Sequence, residues 1–353
     1  MNKLEIIDVS IFNNNHSLSD LDYFANFLDK KQNTIILFWS PLEFMLNFFS
    51  LNFLNDDNVK SLDLITKQKN CVVYVLVGGF DEKFYSLVNQ KLPENIKIIY
   101  WPTFLLNYTR KHLDNLYGLL KINRNFENLF FSLNNQRRLH RAMFIDKVFE
   151  NKLDDICKFS WNKTEQINGD EFTFKFWSEQ IVKFDNFIGN YNYDLKLNLT
   201  DELINSKSLV NVVGETFHSN FYFITEKTYK NFFLEQPFLV ISSKGFHKKI
   251  KSLGFVLYDE IFDYSFDDFE SLSDRVDGVI KNLQKLRGKD YNELYKLIED
   301  KLKYNKNKSI EISTSKLHVP KELIDLREKY IDIFKNYKDS YKNIDLIEDF
   351  FVY

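Results

Sequence analysis

Short runs rich in β-branched and aromatic residues alternate with helix-like stretches along this chain, and they do so in two separate series. In the first, the runs are Leu4 to Val9, Thr34 to Trp39, Cys71 to Val77 and Ile96 to Trp101, with helical stretches such as Ser19 to Leu28 and Glu82 to Gln90 between them. Strands that are apolar on both faces and separated by helices predict a parallel sheet covered on its two sides. Residues 1–125 therefore read as one Rossmann-like domain. The second series holds the apolar strand Asn128 to Leu133, a basic turn from Asn134 to Arg138 and a helix from Arg141 to Asn151. It continues through Leu209 to Val213, a helix from Glu226 to Leu234, a strand from Phe238 to Ser242 and a helix from Phe246 to Leu253. The apolar run Phe255 to Tyr258 and an amphipathic helix from Phe269 to Leu286 complete it. Residues 126–353 read as a second domain of the same class, with the break between Lys121 and Asn128, where the alternation restarts. Asn162 to Asn205 has no clear period and predicts irregular structure. Helix-like segments follow at Tyr291 to Lys303 and Lys321 to Phe334.

A length of 353 residues suits two cores better than one. The high Phe and Tyr content, 36 and 19 residues, beside only 10 Gly and 5 Pro, fits an AT-rich genome and reads as core filling. The formal net charge of −3 provides no global field toward nucleic acid or anionic lipid, so a DNA acceptor would need a local basic groove. Cys71 and Cys157 stand in separate apolar contexts without metal-ligand spacing, which predicts reduced core thiols. The first ten residues lack a signal-peptide pattern, and no apolar stretch reaches the ~20 residues of a membrane span. The expectation is a cytoplasmic protein.

Two segments carry chemistry. In the first, Val212-Val213-Gly214-Glu215-Thr216-Phe217-His218 ends a strand in a polar loop that leads to Ile224-Thr225-Glu226-Lys227-Thr228. Thr225 stands where an N-cap belongs. A helix start offers N–H groups and partial positive charge to a diphosphate, Lys227 adds a full charge, and Glu226 is placed to accept from ribose hydroxyls. Read from the pattern alone, the same residues also serve as an ordinary capped surface helix. In the second segment, Phe130-Phe131-Ser132-Leu133-Asn134 runs into Arg137-Arg138-Leu139-His140-Arg141. A strand-to-helix junction of this kind faces the ligand crevice of a parallel sheet.

The first segment, together with Pro237-Phe238-Leu239-Val240, resembles the donor-binding motif of the α1,3-fucosyltransferase family and of related bacteriophage glycosyltransferases. In the former, an acidic residue ending a strand precedes a Val/Ile-Thr-Glu-Lys helix start; in the latter, a Glu-Thr-containing loop leads into Ile-Thr-Glu-Lys-Thr and then a Pro-Phe strand. The second segment resembles the strand, Asn-containing loop and Arg-bearing helix that open the same domain. The resemblance covers residues 128–265. It departs from the family in its loop between Glu215 and Thr225, which is one residue longer, and in Thr216, which stands where an Asn is usual.

The resemblance implies a GT-B architecture of two Rossmann-like domains facing a cleft, with the nucleotide-sugar donor in the C-terminal one. It implies inverting, metal-independent transfer with no cofactor beyond the nucleotide-diphosphate sugar. The implied donor residues are Arg138, Arg141, Glu215, Thr225, Glu226 and Lys227. The acceptor is a glycan or a modified base of phage DNA, and a noncatalytic nucleotide- or carbohydrate-binding module is the alternative to an enzyme.

An inverting transferase needs a base at the carboxyl end of an N-terminal strand. Glu43 follows the second strand, while Asp81 and Glu82 follow the third. Trp39, beside Glu43, offers a sugar an aromatic surface and ranks that residue first. Asp20-Leu21-Asp22 has the form of a metal signature but sits at a predicted helix start, where acidic residues are ordinary. Gly78-Gly79 lacks dinucleotide-binding spacing and reads as a turn. His140 and His218 lie in the two motif loops, with contact to phosphate or acceptor and structural hydrogen bonding both open to them.

Overall fold

The computed structural model describes residues 3–8, 28–40, 56–77, 82–100, 124–134, 138–161, 175–176, 207–218, 221–314, 324–325 and 328–329. By contacts the chain divides into two compact units, Met1–Asn107 with Thr314–Tyr353, and Tyr108–Ser313. Of the expected break between Lys121 and Asn128, residues 121–123 lie outside the described set and 124–128 within it.

The first unit holds β1 (Lys3–Asp8), β2 (Thr34–Ser40), α1 (Asp56–Lys69), β3 (Val72–Val77), α2 (Glu82–Asn89) and β4 (Ile96–Tyr100). Its four strands are all parallel and lie in sequence order, β1-β2-β3-β4. Consecutive residues Ile35, Ile36 and Leu37 of β2 are buried, as are Ile98 and Ile99 of β4. Burial of neighbours that point to opposite faces is the mark of a sheet covered on both sides. The winding does not reverse among these four strands.

The second unit is built from β5 (Asn128–Asn134), α3 (Leu139–Glu150), β6 (Cys157–Trp161), β7 (Ser208–Gly214), α4 (Glu226–Phe233), β8 (Phe238–Ile241), α5 (Phe246–Ser252), α6 (Leu272–Leu286) and α7 (Tyr291–Thr314). Its parallel sheet has the order β6-β5-β7-β8. The chain steps from β5 outward to β6, then returns to the other side of β5 for β7 and β8. Right-handed crossovers running in opposite directions place α3 on one face and α4 on the other. Every residue of β7 and β8 is buried. On the α3 face, α6 packs against α3 through an apolar stripe that includes Val276, Val279, Ile280 and Leu283. Gly278 is required within that helix, since a Cβ there would lie 2.1 Å from the Cβ of Phe266.

Four local differences from the sequence expectation have physical causes. Strand β6 was not marked by the apolar pattern, because Lys158 and Ser160 alternate with Cys157 and Phe159 on an edge that needs only one apolar face. Phe255 to Tyr258 is not a strand. Its Val256 N–H donates to Asn305 Oδ1 at 2.8 Å and its Val256 carbonyl accepts from Asn305 Nδ2 at 2.9 Å, so one side chain of α7 supplies both partners a ladder would have given. That buried Asn305 also helps explain why α7 runs to Thr314, past the expected end at Lys303. Helix α6 begins at Leu272, later than the expected Phe269, because the Ser271 hydroxyl accepts from Asp274 N–H and caps it there.

At β8, the outer strand of the second sheet in the order above, Val240 N–H donates to His247 Nε2 at 3.1 Å, and His247 Nδ1–H donates to Asp267 at 2.9 Å. Asp267 also accepts from the His247 and Lys248 N–H groups. Burial raises the Asp267 carboxyl, and the bonds from His247 outweigh it and hold the group below its ordinary range. This pair pins α5 to the sheet and satisfies an edge N–H.

Candidate functional site

The reversal of winding between β5 and β7 creates a crevice beyond their carboxyl ends, the place where open parallel sheets bind ligands. Both sequence motifs end there. The structure joins them through Arg141, which is 2% exposed and reaches from the first turn of α3 to the end of β7. Its Nε and one terminal nitrogen donate to the Gly214 carbonyl at 3.1 and 2.7 Å, and the same terminal nitrogen reaches the Glu215 carbonyl at 3.3 Å. A Cβ on Gly214 would lie 2.7 Å from Arg141 Cγ and 3.0 Å from its Nε. The glycine is what lets the arginine lie across the strand end. Gly214→Ala is expected to lower stability by about 1 to 3 kcal/mol through this overpacking, read as a lower denaturant midpoint. An unchanged midpoint would mean that Arg141 has another place to go.

Glu215, the residue after β7, is fully buried. One of its carboxylate oxygens accepts from Thr225 N–H at 3.1 Å and Thr228 hydroxyl at 2.6 Å, and the other from Thr216 N–H at 3.2 Å and Thr225 hydroxyl at 2.8 Å. Thr225 is the N-cap of α4, and its hydroxyl in turn accepts from Lys227 N–H at 3.2 Å. The start of α4 is thus closed from within, and Glu215 fixes both ends of the loop that begins at Thr216.

Above this framework stand the part-exposed groups. Lys227 Nζ donates to Thr216 Oγ1 at 3.3 Å and Thr225 Oγ1 at 3.2 Å and pairs with Glu226 at 3.3 Å, with the two side chains 30% and 33% exposed. The Arg138 guanidinium lies over the Phe217 ring at 5.4 Å, and its Nε is buried without a hydrogen-bond partner among the described residues. His140 is fully buried; its Nε2 lies 2.7 Å from the Glu215 carbonyl and its ring packs edge-on to His218 at 5.2 Å. Burial, reinforced by the charge of Arg141, pushes the His140 imidazolium well below its ordinary range, so the ring is neutral.

The six donor candidates therefore fall into two groups. Glu215, Thr225 and Arg141 form a buried frame; Glu226, Lys227 and Arg138 line it with part-exposed polar atoms. Sequence reasoning left the role of His140 open and did not anticipate Gly214 or Thr228 as parts of the frame. The signals were there in part: a Thr three residues after the N-cap, and a Gly closing a mostly apolar strand. Glu43, Asp81, Asp20, Asp22 and Gly78-Gly79 lie outside the described residues, and Glu82 opens α2. Among the described residues, no three His, Cys, Asp or Glu side chains are grouped to hold a metal ion. No described helix is long and apolar enough to cross a membrane.

No family model and no curated protein matches the chain. Among solved structures, it is similar to a mutant of T4 phage BGT in complex with UDP-glucose, at 12% identity and a TM-score of 0.39, over 87% of this chain and 79% of that one.

Proposed function

We propose that the chain is a GT-B glycosyltransferase that binds a nucleotide-diphosphate sugar at the carboxyl ends of β5 and β7 and transfers the sugar to an acceptor hydroxyl. The observation that supports this most is the convergence of Arg138, Lys227 and the start of α4 on the one point where the second sheet reverses its winding. Lys227 and Arg138 carry the part-exposed positive charge there, and they meet the diphosphate. Arg141 and Glu215 hold the strand end and the helix start at fixed positions, which preorganises the charges for the leaving group.

In the reaction, an acceptor oxygen attacks the anomeric carbon while the bond from that carbon to the diphosphate oxygen breaks. The acceptor proton passes to a carboxylate base, and the charge that develops on the diphosphate is stabilised by Lys227 and Arg138. The chemistry in this reading uses no metal, and a glycan or a modified DNA base serves as acceptor.

Calorimetry with nucleoside diphosphates tests the donor half. Lys227→Ala is expected to weaken binding by about 1.5 to 3 kcal/mol, the worth of a charge-assisted contact to phosphate. Unchanged affinity removes Lys227 from the site. Tight binding of a nucleotide sugar with no release of nucleoside diphosphate across glycan and DNA acceptors would turn the reading to a noncatalytic binding module.

A further inference from the structure

We infer that His140 is a specificity-determining residue of this site, a neutral hydrogen-bond acceptor that reads a hydroxyl or N–H of the nucleotide-sugar donor. The inference rests on the donor reading above and adds to it which part of the ligand the buried floor of the site recognises.

The tautomer follows from geometry. A carbonyl oxygen only accepts, so the nitrogen 2.7 Å from the Glu215 carbonyl, Nε2, carries the ring proton. Nδ1 is then an acceptor, and it is buried with no hydrogen-bond partner among the described residues. A buried polar atom left unmet costs about 1 to 3 kcal/mol, a cost that an apolar side chain at the same place would avoid. The burial and the Arg141 charge that keep the ring unprotonated also keep Nδ1 an acceptor across the neutral range.

An acceptor repels phosphate oxygens, which are acceptors too. The group that satisfies Nδ1 must donate, and in a nucleotide sugar the donors are ribose and sugar hydroxyls and base N–H groups. The position fits a ligand and not a core contact. His140 lies in the first turn of α3, two residues from Arg138, and it touches both the carbonyl of Glu215 and the ring of part-exposed His218. Arg138 Nε, a donor, is the second buried polar atom in the same turn without a partner among the described residues. The part-exposed His218 ring packs on His140, and a ligand group that meets Nδ1 enters beside it.

Three probes separate the possibilities by calorimetry: inorganic pyrophosphate, which has no donor group, a nucleoside diphosphate and a nucleotide sugar. His140→Gln retains an amide N–H for the Glu215 carbonyl and removes the acceptor at Nδ1. It is expected to leave pyrophosphate affinity unchanged and to weaken the nucleotide sugar about tenfold. If the loss is already present with the nucleoside diphosphate, the donor group is on the nucleoside; if it appears only with the nucleotide sugar, it is on the sugar. Equal affinity of variant and wild type for all three, or an equal loss for all three, overturns the inference. Failure of wild type to bind any of them defeats the donor reading itself.

A second measurement needs no variant. In wild-type protein carrying ¹⁵N-histidine, the unprotonated Nδ1 resonance of the Nε2–H tautomer is expected to shift on adding nucleotide sugar and to stay in place with pyrophosphate. A resonance unmoved by every probe that binds counts against the role.

Discussion

Glu215→Gln is expected to destabilise the second unit by about 3 kcal/mol or more, although it changes only one oxygen for a nitrogen. Each carboxylate oxygen receives a backbone N–H, Thr225 on one side and Thr216 on the other. Whichever way the amide is turned, its NH₂ faces an N–H that cannot rotate away, and two donors are left opposed in a fully buried place. The threonine hydroxyls can turn to accept, but the backbone groups cannot. Glu215→Ala loses the acceptors altogether and is expected to be at least as damaging. Glu226→Gln, one residue into the same helix but part-exposed, serves as the control, with a change within about 0.5 kcal/mol. Urea unfolding measures all three. If Glu215→Gln matches the control, the carboxylate is not the organiser of the loop.

Under the proposed function, Glu43→Gln is expected to lower turnover by about a hundredfold or more while leaving donor affinity unchanged. The argument is chemical. Transfer to a neutral hydroxyl requires somewhere for its proton to go, and a carboxylate after an N-terminal strand is the group available at the carboxyl end of that sheet. Glu43 follows β2 and Asp81 follows β3, with Glu82 opening α2. Turnover is read as release of nucleoside diphosphate in the presence of acceptor, and donor affinity by calorimetry on the same preparations. Normal turnover in Glu43→Gln together with loss in Asp81→Asn or Glu82→Gln moves the base to the loop after β3. Normal turnover in all three would falsify a base in either loop.

The sequence alone determined the two parallel sheets. Runs such as Phe238 to Ile241, apolar at every position, have few other stable arrangements, and β5, β7, β8, α4 and α5 of the second unit stand within a few residues of where the pattern puts them. It also located the two loops that matter, because Thr225 before Glu226-Lys227 is a local signal and its cap is observed. What each residue does there was decided by tertiary structure. Glu215 and Arg141 look in sequence like charges for a ligand; in the fold both are buried, Arg141 on the carbonyls of a strand end 73 residues away and Glu215 on the N–H groups and hydroxyls at the two ends of its own loop, because buried carbonyls and N–H groups must be satisfied. The need for Gly214 comes from the path of Arg141 over it. The order β6-β5-β7-β8, which brings the two loops to one point, was likewise beyond reading from the chain, because periodicity reports which face of a strand is buried and not which strand lies beside it.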